Sequence, residues 1–154
     1  MNVTDVAECY EKHSEALVRF AATQVGWSDA DDVVATAVLG VLARPRPGID
    51  DLRAYLYRAV ANAALKHWRS LERRARREAA FAPAHAMTLP DVEPEILGAL
   101  KKLSPQQRAV VHLTYWEDLT PATVADRLGI SDGSVRRQLN RARRRLAEVL
   151  DEQR

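Results

Sequence analysis

Arg136, Arg137, Asn140, Arg141 and Arg144 are spaced one, three and four residues apart, so on a helix they share one side. Their chemistry is recognition rather than catalysis. A guanidinium fork matches the acceptor edge of guanine or a phosphate, and an asparagine amide matches adenine. An ordinary surface helix with solvated arginines is the competing reading. Against it, Glu and Asp are absent from Gly133 to Ala147, so nothing nearby neutralises the arginines. A second basic set, Tyr55, Asn62, Lys66, Arg69 and Arg73, forms a stripe with one aromatic and one amide. That mixture suits a duplex or an unpaired strand, because rings stack on bases while cations follow the backbone.

No other chemistry assembles. His13, His67, His85 and His112 are scattered, and glycine-rich phosphate loops, HExxH and paired CxxC motifs are absent. His67 beside Trp68 reads as a packed helix residue rather than a ligand. Cys9 and His13 lie four apart with no further ligand nearby, which is a chance spacing more often than half a metal site. The chain is therefore expected to be no enzyme and to hold no cofactor or metal. Cys9 is the only cysteine, so no intramolecular disulfide can form, and a cytoplasmic location is expected. The uncharged run Val33 to Ala43 is too short for a membrane span, which takes ~20 residues, and the N-terminus lacks a signal-peptide pattern.

The arginine set needs a helix that presents it. Thr120 with Pro121 starts a short amphipathic helix to Leu128, Gly129 makes the corner, and Ser131 caps the helix that follows. Helix, three-residue turn and helix is the arrangement that lays a second helix in the major groove. In that second helix Val135, Leu139, Ala142, Leu146 and Val149 form the stripe expected to be buried. Upstream, Ile96, Leu97, Leu100 and Leu103 mark one short helix. Ser104-Pro105-Gln106-Gln107 opens another with a capping box, carrying Ala109, Val110, Leu113 and Trp116 toward the same core.

The net charge of +2 conceals alternating blocks: −5 over residues 1–51, +7 over 52–77, −3 over 78–130 and +3 over 131–154. Two basic blocks suggest two nucleic-acid contacts. In the first block a helix from Thr4 to about Val25 is expected, ended by Gly26 and Trp27. A second, opened by a capping box at Ser28 to Asp31, runs to about Leu42. Val33, Val34, Ala35, Ala37, Val38, Leu39, Val41 and Leu42 leave it almost no polar face, so it must be covered on more than one side, by its own domain or by a partner. Prolines break the chain at Arg44 to Gly48. Asp50 can cap a third helix from Asp51 to about Arg76. Residues 78–94 hold three prolines and no helical stripe, which reads as a linker of 17 residues. Fully extended it reaches roughly 56–61 Å, beyond the roughly 34–36 Å of one DNA turn.

The expected architecture is all-α: two small helical domains, 1–77 and 95–154, joined by a flexible linker, 78–94, the second a four-helix domain with a helix-turn-helix.

In that order, three motifs resemble the small, two-domain extracytoplasmic-function group of bacterial RNA polymerase sigma factors, and together they cover most of the chain. Ala30-Asp31-Asp32-Val33-Val34 resembles the group's core-polymerase-binding helix. Leu52 to Asn62 resembles the start of its −10-recognition helix. Leu103-Ser104-Pro105, Val124 to Arg136 and Arg141-Ala142-Arg143 resemble its −35-binding domain. The resemblance implies a promoter-specificity subunit whose partners are core RNA polymerase and promoter DNA, with an anti-sigma factor as a further class of partner that the sequence does not name. It implies polymerase contact through Asp31, Asp32, Ala35, Val38, Leu39 and Leu42. It implies −10 contact through Tyr55, Arg58, Asn62, Lys66, Arg69 and Arg73, with a base flipped into the loop Arg44–Asp51. Contact with the −35 duplex would fall to Ser134, Arg136, Arg137, Asn140, Arg141, Arg143 and Arg144. The chain departs from the group's pattern at Ala35, usually glutamine, at Val38 and Leu42, commonly aromatic, at Tyr55, usually tryptophan, and at Lys66, frequently aspartate. A stand-alone helix-turn-helix regulator that binds operators as a dimer explains residues 95–154 but leaves the first domain without a task. A protein-only adaptor does not need the arginine face.

Overall fold

The computed structural model describes residues 1–78, 89 and 92–152. Its regular structure is helical: α1 (Val3–Val25), α2 (Trp27–Ala43), α3 (Leu52–Arg77), α4 (Pro94–Lys101), α5 (Pro105–Val111), α6 (Pro121–Leu128) and α7 (Asp132–Glu152). A π-helical turn, His112–Trp116, continues α5. The linker expected over 78–94 lies largely outside the described residues, as does His85; Pro94 begins α4 at its first position.

Local hydrogen bonds explain most of the boundaries. Ser104 accepts from the Gln107 N–H at 3.2 Å while Gln107 Oε1 accepts from the Ser104 N–H at 3.1 Å, the reciprocal box expected there. Thr120 caps α6 through the Thr123 N–H, and Ser131 caps α7 through the Ser134 N–H. Three expected caps move. α1 is capped by Asn2, not Thr4, in a box with Asp5. α3 is capped by Asp51 through the Ala54 N–H, not by Asp50. α2 begins at Trp27 with no side-chain cap, because Gly26, at φ 90°, turns the chain directly out of α1. In each case a residue one to two places away has the extended or turned backbone that a cap needs.

The first three helices pack as a bundle around Leu17, Phe20, Val34, Leu56 and Val60. Each large apolar side chain buried here contributes about 1.5–3 kcal/mol. α4 joins α5 and α7 around Leu100, Leu103, Val111 and Ala142. The larger core does not stop at the first bundle. It runs on through Ala109, Val110, Leu113, Val124, Val135 and Leu139, so the helix-turn-helix half is packed against α1 and α3.

Two apolar expectations are refined. α2 buries Ala30, Val33, Val34, Ala37 and Val41 on one side only, and Leu39 on the other is 65% exposed. Trp116 does not enter the core. The π-helical turn spreads five residues over one turn, which puts His112 and Leu113 inside and leaves Trp116 half exposed, stacked on the His112 ring at 5.8 Å.

Candidate nucleic-acid interface

The corner that aims α7 depends on Gly129, which ends α6 in the left-handed region at φ 67°, ψ 34°. A Cβ there would be strained and would also meet Arg58 Nε at 3.1 Å. Beyond the corner α7 is two-sided. Val135, Leu139, Ala142 and Val149 are buried and Leu146 half-buried, which holds the opposite side outward. Arg136, Arg137, Asn140, Arg141 and Arg144 are all exposed on it. Among the described residues none of the four arginines is paired with a carboxylate. Arg137 is steadied by donating from Nη2 to Ser134 Oγ at 3.0 Å. Arg143 stands on the flank and donates from Nε to the Tyr115 hydroxyl at 2.8 Å. On the other flank Lys102, Ser104, Gln107, Arg141, Arg144 and Arg145, with Glu148 as the one acid, line an open and mainly basic recess of about 470 Å³.

α3 carries the second basic face. Asn62, Lys66, Arg69 and Arg73 are exposed or half-exposed and Tyr55 is half-buried beside them. All sit opposite the buried Leu56, Tyr57, Val60 and Ala64. Arg58 belongs to the same face but is occupied: Nε and Nη2 donate to the Asp126 carbonyl at 3.0 and 2.6 Å. His67 Nε2 lies 3.0 Å from Asp29 Oδ2, tying α3 to α2. The loop from Arg44 to Asp51 is exposed apart from Ile49, turning at Gly48 with φ 79°. On α2, Asp31, Asp32, Ala35, Val38, Leu39 and Leu42 share the side away from the core, with Val38 and Leu42 half-buried.

Sequence reasoning missed a polar seam between the halves. Tyr57 donates to Glu117 Oε1 at 2.6 Å. His112 lies with Nδ1 2.8 Å from Thr23 Oγ1 and Nε2 3.4 Å from Glu117 Oε2. The Arg127 guanidinium lies 4.6 Å over the Tyr57 ring and 4.0 Å from Glu117 Oε1. Arg108, 1% exposed, donates to the carbonyls of Leu100, Lys101 and Gln24, so one side chain closes the ends of α4 and α1. Burial alone pulls the Arg108 pKa down to about 10, which leaves it cationic at neutral pH. For Glu117 burial favours the neutral form, yet the His112 ring beside Oε2, the Tyr57 hydrogen bond to Oε1 and the charge of Arg127 hold the carboxyl below the ordinary glutamate value. Burial first, and then the bond to Glu117, push the Tyr57 phenol well up. The one available signal was a lone arginine at 108 and at 127 on an otherwise apolar helix side; no periodicity marks Glu117 or Tyr57.

Known proteins resemble this chain in sequence and fold. Residues 9–74 match the family model for sigma-70 region 2, and residues 94–146 match that for sigma-70, region 4. The RNA polymerase sigma-E factor of Streptomyces avermitilis is 34% identical over 156 residues, spanning 97% of this chain and 87% of that one. The ECF RNA polymerase sigma factor SigL of Mycobacterium tuberculosis is 28% identical over 162 residues, spanning 93% and 87%. The sigma factor RpoE of Bartonella quintana, solved with the anti-sigma factor NepR, superposes with a TM-score of 0.67 over 99% of this chain and 100% of its own, at 23% identity.

Proposed function

The chain belongs to the extracytoplasmic-function group of RNA polymerase sigma-70 factors, and we infer from that membership how its two basic faces divide promoter recognition. It is a promoter-specificity subunit, with core polymerase and promoter DNA as its partners. The stand-alone operator-binding alternative is not favoured, since both halves match the family.

In this reading residues 95–154 dock on the −35 duplex. Arg136, Arg137, Asn140 and Arg141 reach base edges, while Ser134, Arg143 and Arg144 hold the phosphate backbone. Residues 1–77 engage the −10 element: Tyr55, Arg58, Asn62, Lys66, Arg69 and Arg73 track the strand, and Arg44–Asp51 receives a base turned out of the stack. Turning out a base costs a few kcal/mol, which a preformed pocket and stacking must offset. Asp31, Asp32, Ala35, Val38, Leu39 and Leu42 present an apolar patch with an acidic rim to core polymerase. The subunit works in the cytoplasm and supplies recognition, while the polymerase supplies the chemistry. An anti-sigma factor, the class of partner carried by the Bartonella neighbour, is a further partner of this chain.

One observation carries this reading: the unneutralised arginine face of α7, held outward by its buried stripe. Footprinting with and without core polymerase tests it. Tight protection of −35 and −10 together is expected only with polymerase. Asn62→Ala should leave closed-complex footprints intact but lower permanganate reactivity of −10 thymines, because an amide pairs with a base edge only after the base leaves the stack. Equally tight protection without polymerase would sink the sigma mechanism, and normal thymine reactivity would remove Asn62 from melting.

A further inference from the structure

Arg137 differs from its neighbours on the outward side of α7. Among the described residues the side chains of Arg136, Arg141 and Arg144 make no hydrogen bond within the chain. Arg137 does: its Nη2 donates to Ser134 Oγ at 3.0 Å, one helical turn back. The guanidinium lies over the first turn of α7, where a Cβ added at Gly133 would stand 3.6 Å from Nη1. Glycine at 133 therefore leaves that space to the arginine. The anchor is itself fixed, since the Ser134 N–H donates to the capping Ser131 Oγ at 3.1 Å.

Place and pose both matter. In a helix-turn-helix the N-terminal residues of the second helix are the ones that meet base edges, and the tether holds Arg137 over that end. Nη2 keeps a second hydrogen and Nη1 both of its own, so a two-pronged edge remains for the guanine acceptors. An untethered arginine gives up side-chain freedom when it binds, and it can turn to a nearby phosphate instead. A tethered one has given up that freedom beforehand. The Ser134 oxygen accepts from Arg137, and among the described residues nothing in the chain takes its single hydrogen. That hydrogen is what the serine has left for a phosphate oxygen.

We propose that Ser134 is a positioning residue for base reading, fixing the pose of Arg137 and so setting the preference at one −35 base pair. This role is additional to its hold on the backbone, and it rests on the reading of residues 95–154 as the −35 module.

The test uses holoenzyme reconstituted with the full-length chain and promoter fragments that differ by single base pairs in the −35 element. Arg137→Ala identifies the pair that Arg137 reads. Ser134→Ala should relax preference at that same pair by roughly three- to tenfold, the scale of freeing one long side chain. Preference at the other pairs should stay unchanged. Ser134→Thr keeps a hydroxyl and should keep the preference. Adding Ser134→Ala to Arg137→Ala should relax that pair no further, because the serine acts there only through the arginine. Unchanged preference in Ser134→Ala, a loss equal on every fragment, or a loss at a different pair overturns the positioning role. So does a threonine variant as relaxed as alanine, or a double variant more relaxed than Arg137→Ala alone. If Arg137→Ala weakens all fragments alike, the tethered arginine is no reader and the role falls with it. A wild-type holoenzyme without any −35 preference would instead strike the underlying reading of α7, before a variant is compared.

Discussion

Arg108 and Arg127 lie in the seam between the halves, whereas Arg137 and Arg141 stand on the outer face of α7. The same guanidinium does opposite work in the two places. In the seam its charge is answered by protein: Arg108 donates to three carbonyls, and Arg127 lies 4.0 Å from a carboxylate and over an aromatic face. On the outer face no carboxylate among the described residues neutralises the cation, so its charge is left for an outside anion. An arginine's role thus follows from whether the fold surrounds its guanidinium with partners, and residue type alone does not reveal it.

The largest effect should come from emptying the seam. Arg108→Ala strips three carbonyls, all at the ends of α1 and α4, of a buried donor and should cost about 3 kcal/mol of stability. Urea unfolding measures it. Arg108→Lys should recover less than half, since one ammonium cannot reproduce the fork. If Arg108→Ala unfolded at the parent's midpoint, the contrast between buried and exposed arginines would collapse.

Next is the outer face, where stability should barely move, within about 0.5 kcal/mol, but DNA binding should. Arg137→Ala or Arg141→Ala should lose ~1–3 kcal/mol at a matched −35 base pair and relax preference there, while Arg144→Ala should weaken every sequence alike and lessen the salt slope by about one unit. Binding to a panel of single-base variants at several salt concentrations separates the two. Uniform losses for all three would show that α7 positions without reading.

The smallest effect sharpens the comparison through protons. The Glu117 carboxyl is held below its ordinary value in the fold. Its ionised form therefore contributes stability above the unfolded pKa, and that contribution disappears as pH falls through the folded one. A loss of stability is expected below the ordinary glutamate range, seen as a falling urea midpoint that Glu117→Gln does not share. Residues 133–147 of α7 carry no carboxylate, so −35 affinity of the folded chain should not follow the same curve. Parallel pH curves for the two properties would mean that the regions are not separate.

Much of the site was legible because it is local. Ser104, Thr120, Gly129 and Ser131 declare their caps and corner through hydrogen bonds and dihedrals set within three or four residues, and the period of Val135, Leu139 and Ala142 decides which side of α7 faces out. The misplaced caps at Asn2 and Asp51 were local too, but neighbouring polar residues competed for each position and only the backbone conformation chose between them. The exposed side of α2 was half legible: its apolar residues showed in sequence, and packing decided that Val33, Ala37 and Val41 turn in while Leu39 turns out. The partners across the seam were not legible. Tyr57 meets Glu117 across 60 positions, His112 meets Thr23 across 89, and Arg108 meets Gln24 across 84. No period or cap encodes contacts at such separations. The sequence by itself determined the helices, the corner and the basic faces, because those are questions of chain spacing. Tertiary packing decided which arginines are structural and that the two halves close on one another, because a buried charge finds its partners only once distant helices meet.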